Sequence, residues 1–293
     1  MTPVPSTAVF STGNIITTGR TIATLEKSNQ ELINSLRQNL KEAPEPRRNQ
    51  KIDSLSSPTA QAGIAPWVQQ KNGYLYIPGP TEPAGLSEER SEYDITVKLF
   101  YLPGVPVSDR CNHTRAALDY VLEELHVTSI DLLIVSFPNI SFDAEDLSLN
   151  KEPSDEEVDE WIQTYRTLES LHSSGKIMRI GLAEFGVPRL SKILPNTRIK
   201  PSVDQINVRD CCVVPKPLIH FAKEHKIELL THNDCTNILP SSSLQHLFQE
   251  DSTPFANFGR IDPQWVIKYT AVIQDRGVVE NKGYFANIKI ELE

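Results

Sequence analysis

The stretch IDLLIV, Ile130–Val135, decides the fold. It is short and apolar toward both of its sides, as a strand in the middle of a parallel sheet must be. C-terminal to it, Ser154 and Glu157 form a capping-box pattern that opens a helix carrying Val158, Trp161, Ile162, Tyr165, Leu168 and Leu171 inward. That helix ends before Gly175, and a strand is expected over Ile177–Leu182. A short helix over Val187–Leu194, a strand over Ser202–Val208, a helix over Lys216–His225, a strand over Ile227–Thr231 and a helix over Ser241–Gln249 follow. On the N-terminal side, YDITVKLFY (Tyr93–Tyr101) reads as a strand. Ser108–Leu125 reads as a helix with Ala117, Leu118, Val121, Leu122 and Leu125 on one face. Strand–helix units at this spacing require a parallel sheet. No GxGxxG and no GxxxxGK[ST] is present, so a closed barrel is favoured over an open, nucleotide-binding doubly wound sheet. The expected fold class is α/β, a (β/α)8 TIM-type barrel formed by residues 1–293 as one domain.

Farther toward the N-terminus, SNQELINSLRQNLKEA from Ser28 places Leu32, Ile33, Leu36 and Leu40 at helical spacing. That helix should stop by Ala43, because Pro44 and Pro46 remove donors and disfavour α geometry before them. Residues 44–62 are polar with little to bury, and are expected to be a disordered insertion. The chain's net charge of −9 repels phosphate backbones, so nucleic acid is not an expected partner. No apolar run approaches the roughly 20 residues of a membrane span. Met1–Phe10 lacks the pattern of a secretory signal. Four cysteines, Cys111, Cys211, Cys212 and Cys235, are too few for a disulfide scaffold in 293 residues. A cytoplasmic location is expected.

Four stretches resemble the aldo-keto reductases: VKLFY around Lys98, DLLIVSFP from Asp131, KIMRIGLAEF from Lys176 and PSVDQINV from Pro201. A second set is more specific. The block Thr12–Arg20, the pair Cys211–Cys212, LLTHND from Leu229 to Asp234, and RGVVENKGY from Arg276 to Tyr284 resemble the glutamate–cysteine ligase regulatory subunits. Those subunits are themselves relatives of the reductases. The resemblance implies an aldo-keto-reductase-like barrel with an atypical N-terminal segment and a C-terminal extension in place of the cofactor loops. It implies a non-catalytic chain that binds the ligase's catalytic subunit as a heterodimer, raises its affinity for glutamate and relieves feedback inhibition by glutathione. The competing reading is an NAD(P)H-dependent reductase of small carbonyl compounds; a metal-dependent hydrolase at the strand ends is a third.

The resemblance also permits a residue-by-residue test of the reductase reading. A working reductase of this type needs a tyrosine proton donor tuned by a lysine and an aspartate, and a histidine that orients the carbonyl. Lys98 matches the lysine, but the histidine position is Ser136. The tyrosine position falls near Gln69 and Gln70; Tyr74 and Tyr76 lie close by in a different context. The Ser–Asn pair that holds the nicotinamide amide is Ala183–Glu184, Gln205 matches the family's glutamine, and His232 stands where an aromatic ring would stack. No signature for the NADPH 2′-phosphate is present. The expectation is therefore no catalytic residue and no cofactor. Lys98, Ser136, Ala183, Glu184, Gln205 and His232 become vestigial site positions.

Several readings stay open. Lys98 either pairs with a carboxylate inside the barrel or retains a ligand contact. His232, Asn233 and Asp234 form a loop network or touch the partner; as a metal site they supply too few ligands. Cys211 and Cys212 are either small buried side chains or redox-responsive, intersubunit thiols. The acidic run Asp143–Glu160 is a solvated loop and helix start or a docking patch for a basic surface.

Overall fold

The computed structural model describes residues 7–17, 27–42, 69–71, 73–78, 85–142, 152–207, 214–235, 237–249 and 258–292. The expected insertion at 44–62 and the pair Cys211–Cys212 lie outside the described residues. The elements are β1 (Thr7–Ser11), α1 (Ser28–Glu42), β2 (Gln69–Lys71), β3 (Tyr74–Ile77), β4 (Tyr93–Tyr101), α2 (Val107–Leu125), β5 (Ile130–Ser136), α3 (Asp155–Ser173), β6 (Ile177–Ala183), α4 (Val187–Ile193), β7 (Val203–Asn207), α5 (Lys216–His225), β8 (Glu228–His232), α6 (Ser241–Gln249), β9 (Phe258–Ile273) and β10 (Val278–Leu292).

The α/β barrel class read from the sequence stands in its strand–helix half. Strands β4 to β8 run parallel in chain order, joined by α2 to α5. The remainder of the sheet is built differently from further strand–helix units. After α6 the chain returns as the hairpin β9–β10, which pairs antiparallel with the free side of β4. Strand β1 adds antiparallel to β10, and β3 and β2 follow, giving the order β2-β3-β1-β10-β9-β4-β5-β6-β7-β8. No pairing joins β8 to β2 among the described residues. The C-terminal extension expected as a replacement for cofactor loops is thus structural sheet.

Side chains alternate across each strand, so the sheet has two faces. Ile95, Val97, Leu99 and Tyr101 of β4, with Trp265, Ile267 and Tyr269 of β9, pack against α2, α3, α4 and α5. Trp161 and Tyr165, on the inward face of α3, are 4% and 1% exposed. The predicted capping box is present, with Ser154 Oγ accepting from Glu157 N and Glu157 Oε2 accepting from Ser154 N. On the opposite face, Phe100, Val266, Tyr284 and Ala286 are covered by Leu32, Leu36 and Leu40 of α1 and by Leu244, Leu247 and Phe248 of α6. Each fully buried leucine contributes about 1.5–3 kcal/mol.

Two of the distinctive sequence blocks meet in space. Thr12 Oγ1 accepts from Tyr284 N at 2.9 Å, Ile15 N donates to Lys282 O at 2.8 Å, and Asn14 Nδ2 donates to Glu280 O at 3.0 Å. Gly283 lies at this crossing: a Cβ there would run into the carbonyl of Gly13 and meet the Tyr269 hydroxyl at 2.5 Å. The TGN and KGY blocks, 272 positions apart at Thr12 and Tyr284, are one joint.

Candidate functional site

Period-two alternation puts Lys98 on the face of β4 opposite Val97 and Leu99, and Lys268 on the same face of β9. The two lysines are direct register partners across the β4–β9 ladder. Like charges opposed in this way destabilise a sheet. Asp234, in the loop after β8, resolves the conflict. Lys98 Nζ donates to Asp234 Oδ2 at 2.7 Å, and Lys268 Nζ approaches Oδ1 at 3.3 Å. Ser28, the first residue of α1, donates to Oδ1 and accepts from Lys268 Nζ at 3.1 Å. The backbone of Asp234 is fixed as well: Asn207 Nδ2 donates to its carbonyl, and its N–H donates to His232 Nδ1, both at 3.0 Å.

Lys98 and Asp234 are only 5% and 4% exposed. Burial alone would raise the Asp234 carboxyl, but Lys98 and then Lys268 hold it well below the usual carboxylate range. Burial also lowers Lys98, against the pull of Asp234. The 2.7 Å contact and the second cation on Asp234 keep the two as an ion pair.

The network extends through His232. With Nδ1 accepting from Asp234, a neutral ring carries its proton on Nε2, which meets Glu184 Oε1 at 2.7 Å, off the line of a hydrogen bond. Glu184 Oε2 accepts from Phe142 N at 2.5 Å. Glu184 sits at φ 68°, in the left-handed region a glutamate seldom occupies. Its N–H donates to Gln205 O at 2.9 Å, and its carbonyl accepts from Arg189 at 2.7 Å, which holds the strained residue in place. Gln205 Oε1 is buried without a partner. Ala183 is fully buried in a small apolar cluster with Leu132, Ile134 and Val203, and Ser136 pairs with Phe100 at the end of β5.

Of the six expected vestigial positions, Lys98, His232 and Glu184 are thus linked through Asp234, with Gln205 joined through its backbone. Of the two readings left open for His232, Asn233 and Asp234, the described contacts form the loop network. His232 and Asp234 are 7% and 4% exposed at their side chains and point into the network, and Asn233 alone is exposed. Sequence reading missed Ser28 and Lys268; the alternation WVIKYTAV (Trp265–Val272) was the available signal for the latter.

Among the described residues no tyrosine hydroxyl bonds to Lys98 as a proton donor would. Tyr76 packs on the other face of the sheet, its hydroxyl 3.3 Å from that of Tyr120, and Tyr74 is 40% exposed. Gln69 is exposed on β2, five places from β4 in the sheet. Tyr284 does join the buried face, but its hydroxyl donates to Glu31 Oε2 at 2.9 Å, and burial followed by Glu31 pushes its acidity the wrong way. Glu31 also pairs with Lys282 at 2.5 Å. Among the described residues no three His, Cys, Asp or Glu side chains converge as a metal set would, and no helix is long and apolar enough to cross a membrane.

The sequence profile of the aldo/keto reductase family matches residues 81–254. The glutamate–cysteine ligase regulatory subunit of Homo sapiens is 34% identical over 203 residues, covering 69% of this chain and 68% of that one. The Bos taurus regulatory subunit is 32% identical over the same share of each chain. An NADPH-dependent alpha-keto amide reductase of Saccharomyces cerevisiae is 28% identical over 182 residues, covering 61% of this chain and 52% of the reductase. With a profile spanning more than half its length and regulatory subunits matched over two thirds of theirs, the chain belongs to the aldo/keto reductase family, in the branch of the glutamate–cysteine ligase regulatory subunits.

Proposed function

We propose that this chain is a non-catalytic regulatory subunit. It binds the catalytic subunit of glutamate–cysteine ligase as a heterodimer, raises its affinity for glutamate and relieves feedback inhibition by glutathione. The observation that supports the non-catalytic part is that Tyr76 and Tyr284, among the described residues, commit their hydroxyls to Tyr120 and Glu31 rather than to Lys98. Lys98, the residue that would tune a proton donor, is committed to Asp234, with Lys268 and Ser28 on the other carboxylate oxygen. A reductase gains its rate from groups that act in the transition state, while among the described residues no tyrosine hydroxyl bonds to Lys98 and Ser136 stands at the histidine position.

The residues present do not fit a nicotinamide cofactor. The amide-binding positions are a methyl, Ala183, and an inward-turned carboxylate, Glu184, which is already engaged by Phe142 N and His232. Gln205, with its free side-chain oxygen, is the one position retained. The regulatory part rests on the kinship with the named subunits. Its physical content is a coupling free energy: the chain must contact the active and inhibited forms of the ligase differently, by about 1–3 kcal/mol. Gel filtration of a micromolar mixture with the catalytic subunit tests the association. Co-elution as one species is expected; separate elution would contradict the reading.

A further inference from the structure

A cavity of about 340 Å³ lies away from the ion network, between the β4–α2 loop, the start of α6 and the β9–β10 hairpin. Its polar walls come from few residues. Asp262 and Lys289 are register partners on the hairpin, and Arg260 reaches Asp262 at 2.8 Å from two positions away on the same strand. Lys289, 3.8 Å from Asp109 Oδ2, and Arg260 keep 51% and 69% of their side chains exposed, so a ligand carboxylate would compete only with solvated pairs for them. Helix α2 begins after Pro106, which provides no side-chain cap, and α6 begins at Ser241; both residues line the cavity. The first N–H groups of a helix carry partial positive charge and favour an oxyanion.

Gln264 supplies the independent observation. The register passes from Trp265–Asn287 to Pro263–Ile288, leaving Gln264 in a bulge without a partner on β10. Bulges re-aim side chains and recur beside functional sites. Gln264 is 5% exposed and lines the cavity. Its Nε2 donates to Asp262 O at 3.0 Å, which fixes the amide's orientation and leaves Oε1 buried with no partner. A buried acceptor left unmatched costs about 1–3 kcal/mol. The cavity therefore offers cations and helix starts for an acid group, and an unmatched acceptor with the Asp262 carboxylate for a donor group.

We propose that this cavity binds a free α-amino acid, its carboxylate facing Lys289, Arg260 and the helix starts and its ammonium facing Gln264 Oε1 and Asp262. The site does not depend on the partner reading, because it is complete within one chain.

The test uses the isolated full chain. Each of the common free L-amino acids is screened by ligand-observed NMR, and any binder is then titrated beside its N-acetyl derivative, which keeps the carboxylate and loses the ammonium. At least one amino acid should bind saturably with a Kd of about 1 mM or tighter, and its N-acetyl form at least about tenfold more weakly. Lys289→Ala, at an exposed position, should weaken binding by about tenfold, and Gln264→Met by as much or more. If the bulge variant fails to fold, the Lys289 variant and the N-acetyl comparison still decide. Absence of saturable binding across the panel would overturn the proposal. So would equal binding of the N-acetyl form, which would mark a plain anion site, or binding indifferent to both substitutions.

Discussion

Replacing Asp234 by Asn removes the shared anion and leaves the Lys98 ammonium buried with only the Glu184 carboxylate, which it does not touch, as a counter-charge. The pair is 5% and 4% exposed, so solvent screening offers no large discount. Breaking such a pair on one side costs about 3–5 kcal/mol. An independent ceiling comes from proton loss: Lys98 can always escape the penalty by releasing its proton. Relative to an unfolded lysine near pH 10.4, doing so at about pH 7 costs roughly 4.6 kcal/mol. The two figures agree. With an unfolding entropy near 2.1 cal/mol/K per residue over 293 residues, each kcal/mol lowers Tm by about 1.6 °C, so the expected drop is about 5–8 °C. The sign of the pH dependence follows. In the variant the folded pKa of Lys98 lies below its unfolded value, so stability is regained as pH rises toward the unfolded value. At about pH 9 the ceiling has fallen to roughly 1.9 kcal/mol. Thermal unfolding followed by circular dichroism across that range reads both effects. Lys98→Met added to Asp234→Asn should recover most of the loss, because the orphaned charge is gone. A drop of under about 1 kcal/mol, the worth of a solvated pair, would refute the reasoning, as would a deficit that does not shrink with pH.

Asp204 is fully buried, its Oδ1 accepting from Phe185 N at 3.3 Å while Oδ2 has no partner. Burial raises its carboxyl well above the usual value, so its folded-state stability is present at low pH and is lost as pH rises through the raised value. Asp204→Asn should therefore raise Tm more at about pH 8 than at about pH 5; a larger gain on the acid side would contradict the assignment. Gly283→Ala should cost about 1–3 kcal/mol through its clash at the Gly13 carbonyl, read as a lower urea midpoint at unchanged slope. A midpoint equal to the wild type's would show the joint to be slack. NADPH-dependent reduction of an aldehyde panel should not rise above background; turnover that disappears in Lys98→Met would reverse that reading.

Much of the strand–helix half was legible because local signals agree there. Ser154 and Glu157 cap α3 as their spacing requires, and YDITVKLFY is β4 residue for residue. Long-range partnership was not legible. That Lys98 would meet a carboxylate was one of the readings, but nothing local marks Asp234, 136 positions away, as that carboxylate. His232 and Asp234 stayed open between a loop network and a partner contact because polar residues after a strand suit either, and tertiary charge pairing draws their side chains inward. The hairpin β9–β10 was expected only as the C-terminal extension that the resemblance implies, because its pairing with β4 depends on chain return rather than on local pattern. Lys268 was lost with it. The joint between Thr12 and Tyr284 shows why two blocks that resemble the same relatives sit at opposite ends of the chain.

The central claim is regulation without chemistry, and glutamate kinetics of the ligase's catalytic subunit, measured with and without this chain, test it most directly. The account predicts that the chain lowers the KM for glutamate or raises the glutathione concentration needed for inhibition, by about 5–150-fold for a coupling of typical size. It also predicts that the chain alone turns over neither ligase nor carbonyl substrates. Glutamate kinetics and glutathione inhibition unchanged by saturating amounts of the chain would contradict it.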